Sequence, residues 1–225
     1  MTHYIKFLVP LLILSFASCE IDNYDPPTSM LTGTVTYNGE PIGVRSGGVQ
    51  LELWQPGFAL NTKIPVNVDQ EGRFAASLFN GTYKLTFLAG NGPWVVSTDT
   101  IVVNLDGSAD ITVPATPYYT ISDETVARNG ENIEASFRVL AVNDSKALQN
   151  VGLYIGTTAI LDNINNELKV EELPAADISS LDEPINLSVG LGADLSSRSY
   201  VFARIGVRTA GVNEMLFSPV FKINR

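Results

Sequence analysis

The sequence predicts an all-β fold made of two antiparallel Greek-key β-sandwich domains. Apolar and polar residues alternate with a period of two through most of the 225-residue chain, as in strands with one buried face. Turn signals rich in Gly, Pro, Asn and Asp separate these segments at short intervals. A proline-containing stretch at residues 114–117 then divides the pattern in two. We therefore assign residues 30–116 to a first sandwich and residues 117–225 to a second.

Residues 1–18 are predicted to be a lipoprotein signal peptide. The apolar run that follows Lys6 is too short to cross about 30 Å of hydrocarbon as a helix. Small residues at Ala17 and Ser18 precede Cys19, the only cysteine in the chain, which suits cleavage ahead of a lipidated thiol. The alternative is an ordinary secretory signal with a chance cysteine. We expect acylated Cys19 to hold the protein on a lipid membrane.

Residues 19–29 form the predicted lipidated tether. Glu20, Asp22 and Asp25 make it acidic, and this patch resembles the surface-export signal of Bacteroidetes lipoproteins. The resemblance implies an outer-membrane protein, lipid-anchored and facing the cell exterior. A solvated spacer explains the charge equally well.

The composition excludes several function classes. A net charge of −10 disfavours nucleic acid as a partner. The only histidine, His3, lies in the predicted signal and Cys19 is predicted to carry lipid, so the folded part lacks the residues of Ser-His-Asp triads and His-based metal sites. Acidic pairs such as Asp69 and Glu71 fall in turns, where solvated charge is ordinary. We expect no enzyme activity, metal or cofactor.

The first domain shows short alternating segments that end at turn signals such as Asn38-Gly39 and Asn80-Gly81. One of them, residues 49–54, places Val49 inward and Trp54 outward by strand parity. The predicted strands cover residues 31–37, 49–54, 64–68, 74–78, 83–87, 94–96, 101–105 and 109–113.

Four strings in this domain resemble the carboxypeptidase-regulatory, transthyretin-like module. They are GTVTYNGEPI at residues 33–42, VQLEL at 49–53, DQEGRF at 69–74 and NGTYKLTF at 80–87. These positions are mostly structural, so the resemblance implies a fold and no peptidase activity.

The second domain repeats the alternation at residues 133–141, 151–155 and 185–191. For residues 157–183 the pattern does not decide between a helical turn and a loop that precedes a short strand at residues 169–173. The closing residues 199–223 resemble the last hairpin of a fibronectin type III or immunoglobulin-like domain. Within them, Pro219 predicts an edge strand or a bulge, because proline cannot donate to a β-ladder.

Together these features resemble a family of two-domain Bacteroidetes lipoproteins, with ELWQPGF at residues 52–58 as the most family-like string. Members are commonly encoded beside the porin and glycan-binding lipoprotein pairs that import polysaccharides. The resemblance implies a surface accessory in polysaccharide binding or uptake, with a glycan and such an outer-membrane complex as partners. The alternative is a structural or adhesive subunit of the fimbrial type. We expect a monomer when the protein is soluble.

Glycan binding by a sandwich requires exposed aromatic rings beside polar groups. Trp54 is the best candidate by strand parity, and Trp94 follows a Gly-Asn-Gly-Pro loop. Phe58 and Tyr154 complete the candidate set. The alternative is that these rings cover the ends of the sandwiches or fill the joint between the domains.

Overall fold

The computed structural model describes residues 25–57 and 62–225, and nearly all of its regular structure is β-strand. Within these residues the helical elements are a 3₁₀ turn at Ala175–Asp177 and helix α1 (Gly192–Ser196). No helix in this part of the chain is long and apolar enough to span a bilayer. The predicted all-β fold is therefore confirmed.

Strands β1 to β8 build the first domain. They are β1 (Ser29–Tyr37), β2 (Glu40–Pro41), β3 (Val49–Trp54), β4 (Ile64–Val68), β5 (Arg73–Leu78), β6 (Gly81–Phe87), β7 (Ile101–Leu105) and β8 (Ser108–Pro114). They pair in the order β2-β1-β5-β4-β3-β6-β7, and β8 also pairs with β1.

The eight strands enclose one apolar core. Strands β4 and β5 share a single residue pair, Val68 opposite Phe74, so the pairing between the two halves of the sheet is minimal. Apolar residues of β1, β5 and β8 nevertheless share a core with those of β3, β4, β6 and β7, which makes the domain a sandwich. The core includes Leu31, Val35, Leu51, Leu53, Val66, Tyr83, Leu85, Val103 and Val113.

Two details of this domain differ from the sequence prediction. Strand β8 runs parallel to β1, from Met30 opposite Ser108 to Thr36 opposite Pro114. The chain leaves β7, which pairs with β6, and crosses to the other half of the sheet, so β8 does not pair with its hairpin neighbour. Residues 94–96 do not form a strand either, because Trp94 makes only an isolated bridge with Pro117.

The second domain holds β9 to β16. They are β9 (Tyr119–Asn129), β10 (Asn132–Ala141), β11 (Leu148–Gly156), β12 (Glu167–Pro174), β13 (Ile185–Gly190), β14 (Tyr200–Thr209), β15 (Leu216–Phe217) and β16 (Phe221–Asn224). One sheet has the order β13-β10-β9, and the other has the order β12-β11-β14-β15, with β16 also on β14. Their inner faces share a core that includes Ile133, Phe137, Val151, Leu153, Ile155, Leu187, Val201 and Ile205.

The segment that the sequence leaves open is a loop followed by an edge strand. Buried Asp162 organises the loop, because its Oδ1 atom accepts the backbone N–H groups of Ile164 (2.9 Å) and Asn165 (2.8 Å). Strand β12 then pairs with β11 and is longer than the predicted strand. Further along, residues 218–220, which include Pro219, lie outside the strands, between β15 and β16.

Arg204 on β14 joins the two domains. Its side chain is fully buried, and it donates hydrogen bonds to the carbonyl oxygens of Ser218 (2.9 Å), Leu161 (3.0 Å) and Gln70 (2.7 Å). Gln70 belongs to the first domain and the other acceptors to the second. The guanidinium also lies 4.6 Å from the ring centroid of Phe217. Burial lowers the pKa of Arg204 to about 10, so the hydrogen bonds compensate for a real cost of desolvation.

A second set of contacts reinforces the joint. The Arg45 guanidinium binds both carboxylate oxygens of Glu214, at 3.0 and 2.7 Å. The backbone N–H of Phe217 donates to the carbonyl oxygen of Gly43 at 2.9 Å. A Cβ atom at Gly43 would collide with the Phe217 carbonyl, so this close approach requires glycine.

We predict that Arg204→Met lowers the free energy of unfolding by about 3 kcal/mol, because three buried carbonyl oxygens lose their donor. Urea unfolding followed by circular dichroism measures this loss. Arg208→Met, at a half-buried position on the same strand, is the matched control and should cost much less. Equal stability of Arg204→Met and the wild type would contradict the role assigned to Arg204.

Candidate functional site

The outer face of β3, β6 and β7 carries the tryptophan that sequence parity singles out. Trp54 on β3 lies opposite Lys84 on β6, and Lys84 lies opposite Val102 on β7. The indole is half-buried, and its Nε1–H group donates to the Thr86 hydroxyl at 3.1 Å. Val102 is 59% exposed and extends the apolar surface. The hydrogen bond fixes the orientation of the ring while part of it remains open to solvent.

Polar groups surround this ring. Glu52 accepts a hydrogen bond from the Lys63 ammonium at 2.5 Å, and the Gln50 amide donates to the side chain of Asn67 at 2.9 Å. These side chains project from the same side of β3 as Trp54, because residues two apart share a face. We call this surface the Trp54 face, and it consists of Gln50, Glu52, Trp54, Lys84, Thr86 and Val102.

Two of the aromatic candidates do not offer a ring to a ligand, which corrects the sequence prediction. Trp94 is 4% exposed and packs edge-on against Phe87, with 5.6 Å between ring centroids. Tyr154 is 1% exposed and packs edge-on against Phe217 at 5.9 Å. Strand parity does place Tyr154 on the outer side of its sheet, but Leu161, Met215 and Phe217 of the same domain pack over that side. Phe58 lies outside the described residues.

The hydroxyl of Tyr154 is hydrogen-bonded within this buried cluster. It donates to Glu172 Oε1 at 2.8 Å, and burial raises its pKa well above the usual value of 10.0. Gly152 and Gly206 make room for the ring, because a Cβ atom at either would lie within 3.0 Å of it. Tyr154 is therefore a packing residue of the second domain.

A cleft of about 420 Å³ lies beside the segment that links the domains. Asp99 and Thr116 line it from the first domain and the linker, and Asn143 from the second domain. These groups can hydrogen-bond a polar ligand. The one aromatic residue in its lining, Phe87, packs against Trp94, so the cleft is less suited to ring stacking than the Trp54 face.

The acidic residues in turns have structural partners. Arg73 binds Asp69 at 3.2 Å and Glu71 at 3.1 Å, and Asp69 also accepts the backbone N–H groups of both residues. No group of three or more potential metal-ligating side chains occurs within residues 25–57 and 62–225. The lipidation site predicted at Cys19 lies outside these ranges.

Strand parity identifies the outward position of Trp54, but not its neighbours. Thr86 and Lys84 follow it by about thirty residues, and only the pairing of β3 with β6 brings them beside the indole. The alternation of apolar and polar residues in β6 places Thr86 and Lys84 on an outer face. This is the one feature of the sequence that points to them as part of the surface. The identity of the adjacent strand is not a local property of the sequence.

These features define a two-domain all-β protein with a firmly joined pair of sandwiches and an aromatic strand face. Residues 29–116 match the family described as "Protein of unknown function (DUF3823) N-terminal domain", and residues 119–222 match "Domain of unknown function (DUF3823_C)". The chain belongs to the DUF3823 family. No curated protein matches it.

Solved structures share the whole architecture. A DUF3823 family protein from Bacteroides ovatus is 35% identical, with a TM-score of 0.81 over 87% of this chain and 98% of that chain. One from Parabacteroides merdae is 33% identical, with a TM-score of 0.81 over 89% and 100%. A Bacteroides uniformis protein named "putative carbohydrate binding protein" is 20% identical, with a TM-score of 0.72 over 88% and 100%, which shows a shared fold.

We predict that Tyr154→Phe lowers the free energy of unfolding by about 1 kcal/mol at pH 7, through loss of the hydrogen bond to Glu172. The raised pKa in the folded state means that stability is fully present below pH 10 and falls as pH rises further, because the unfolded chain ionises first. The variant should lose less stability than the wild type between pH 9 and 11 (a range of about one pH unit either side of the usual tyrosine pKa). Chemical unfolding of both proteins at each pH measures this difference. An equal change of the free energy of unfolding with pH in the variant and the wild type would contradict the role assigned to the Tyr154 hydroxyl.

Proposed function

We propose that this protein is a non-catalytic, membrane-anchored surface lipoprotein that binds polysaccharide through the Trp54 face. The observation that carries the proposal is the half-buried indole that Thr86 orients on an otherwise polar strand surface. It is an arrangement in which one ring is both oriented and accessible.

The chemistry of the Trp54 face suits a sugar. One side of a pyranose ring presents C–H groups that pack on an aromatic face, while its hydroxyl groups need donors and acceptors at the rim. Trp54 and Val102 supply the apolar surface. Glu52, Lys84 and Gln50 supply an acceptor, a donor and an amide beside it. The flat strand surface fits an extended polymer better than a small enclosed ligand.

Two comparisons support the proposal. The Bacteroides uniformis protein named "putative carbohydrate binding protein" has the same fold over nearly its whole length. The family resemblance seen in the sequence further implies a role beside a porin and a glycan-binding lipoprotein in the outer membrane. We propose that the protein is an accessory to such a complex, with acylated Cys19 as its membrane anchor.

We predict that Trp54→Ala weakens binding to the recognised polysaccharide about five- to thirtyfold, because one stacked aromatic contributes on the order of 1–2 kcal/mol. Affinity gel electrophoresis with xylan, galactomannan, mixed-linkage β-glucan, starch and host mucin glycans measures the retardation of each variant.

The matched control is Phe79→Ala, which removes a 50% exposed aromatic ring outside the Trp54 face and should leave retardation unchanged. Asp99→Ala tests the cleft between the domains. If Asp99→Ala lost binding while Trp54→Ala bound normally, the binding site would lie in the cleft and not on the Trp54 face. Absence of retardation by every polysaccharide would reject glycan binding.

We predict that Cys19→Ala removes the lipid anchor. Fatty-acid labelling of cells that express the full chain should mark the wild type and not the variant, and the variant should leave the membrane fraction. The Cys19→Ala protein should still bind the glycan, because the Trp54 face lies in the folded first domain. An unlabelled wild type would reject lipidation and leave the binding proposal standing.

A further inference from the structure

Strand β12 is an open edge of the five-stranded sheet. It pairs with β11 on one side, and no described strand pairs with the other side. The unpaired N–H and C=O groups along such an edge can accept another strand. Proteins usually protect long edges of this kind, so the side chains that line this one are informative.

The edge presents apolar side chains to solvent. Leu168 is 55% exposed and Val170 is 46% exposed, and the loop before the strand adds Ile160 and Ile164 at 50% and 62%. Four large exposed apolar residues therefore lie within eleven positions of the chain. Leu168 and Val170 share one face of β12, because residues two apart in a strand point the same way, and neighbouring exposed apolar side chains are typical of an interaction surface.

The sequence of β12 is complementary to itself in the antiparallel direction. When two copies pair with Val170 opposite Val170 of the second copy, Lys169 of each lies opposite Glu171 of the other. Residues 169 and 171 share one face of the strand, so the two cross-strand Lys–Glu pairs form on the same side. Val170 meets its counterpart on the other side, flanked by Leu168.

The charged residues of this arrangement are free to pair with another chain. Lys169 and Glu171 are both exposed, and neither forms an ion pair with any other described residue. The remaining acid, Glu172, is held back by the Tyr154 hydroxyl at 2.8 Å and the Asn150 amide at 3.1 Å. Its carboxylate is therefore turned toward β11 of its own sheet.

We infer that β12 is a self-association edge, at which two copies of this chain pair antiparallel about Val170 and join their five-stranded sheets. This differs from the monomer expected from the sequence, in which residues 157–183 are not assigned as an edge. The inference is independent of glycan binding, since the Trp54 face lies on β3, β6 and β7 of the first domain.

Cysteine cross-linking of the full chain tests the register of this pairing. In an antiparallel pair with two-fold symmetry, only the residue on the axis faces its own copy, so Val170→Cys should form a disulfide-linked dimer on oxidation. The matched control is Leu168→Cys, which is more exposed but lies about 13 Å from its counterpart in this register. The wild-type chain controls for Cys19.

The expected result is a cross-linked dimer for Val170→Cys and background levels for Leu168→Cys and the wild type on a non-reducing gel. Equal cross-linking of the two cysteine variants would show random collision and overturn the inference. Background cross-linking of both would show a monomer, or an edge that pairs only with a different protein, and would overturn it equally.

A charge swap in the Val170→Cys background tests the ion pairs. Lys169→Glu turns both cross-strand attractions into repulsions and should lower the dimer yield about tenfold. Adding Glu171→Lys restores opposite charges and should restore the yield. A yield that stays low in the double variant, or that never falls in the single variant, would contradict the proposed register.

Discussion

The buried guanidinium of Arg204 is the interaction on which the arrangement of the two domains depends. Three carbonyl oxygens from separate parts of the chain converge on it, and the side chain is fully enclosed. Burial of a charge is costly, so this geometry is stable only when all three acceptors are in place. The position of Gln70 in the first domain is thereby tied to Leu161 and Ser218 in the second.

Packing beside Arg204 also determines which aromatic residues remain accessible. Tyr154 and Phe217 pack in a small cluster beside Arg204, on what would otherwise be the outer face of the second domain. Within the described part of the chain, the corresponding outer face of the first domain leaves Lys84 and Val102 exposed, and Thr86 holds Trp54 there. The same fold therefore packs one aromatic residue inside a cluster and leaves the other partly open to solvent.

Local sequence patterns predict much of this fold, because strand alternation is a property of neighbouring residues. The outward position of Trp54 and the buried positions around it follow from parity alone. Parity fails for Tyr154 and Arg204, which lie on outward positions that other segments cover: residues of the same domain pack over Tyr154, and Gln70 of the first domain contacts Arg204. Whether another segment covers a strand face depends on contacts between residues far apart in the chain, such as Arg204 and Gln70. The alternation pattern of a single strand does not encode these contacts.

Titration of the protein with the recognised polysaccharide, followed by NMR of its indole N–H groups, tests the central claim most directly. The chain contains two tryptophans, so Trp94, buried against Phe87, serves as an internal control for Trp54. The account predicts that the Trp54 indole signal shifts with ligand while the Trp94 signal stays in place. A titration in which the Trp54 signal does not move, although the polysaccharide binds, would contradict it.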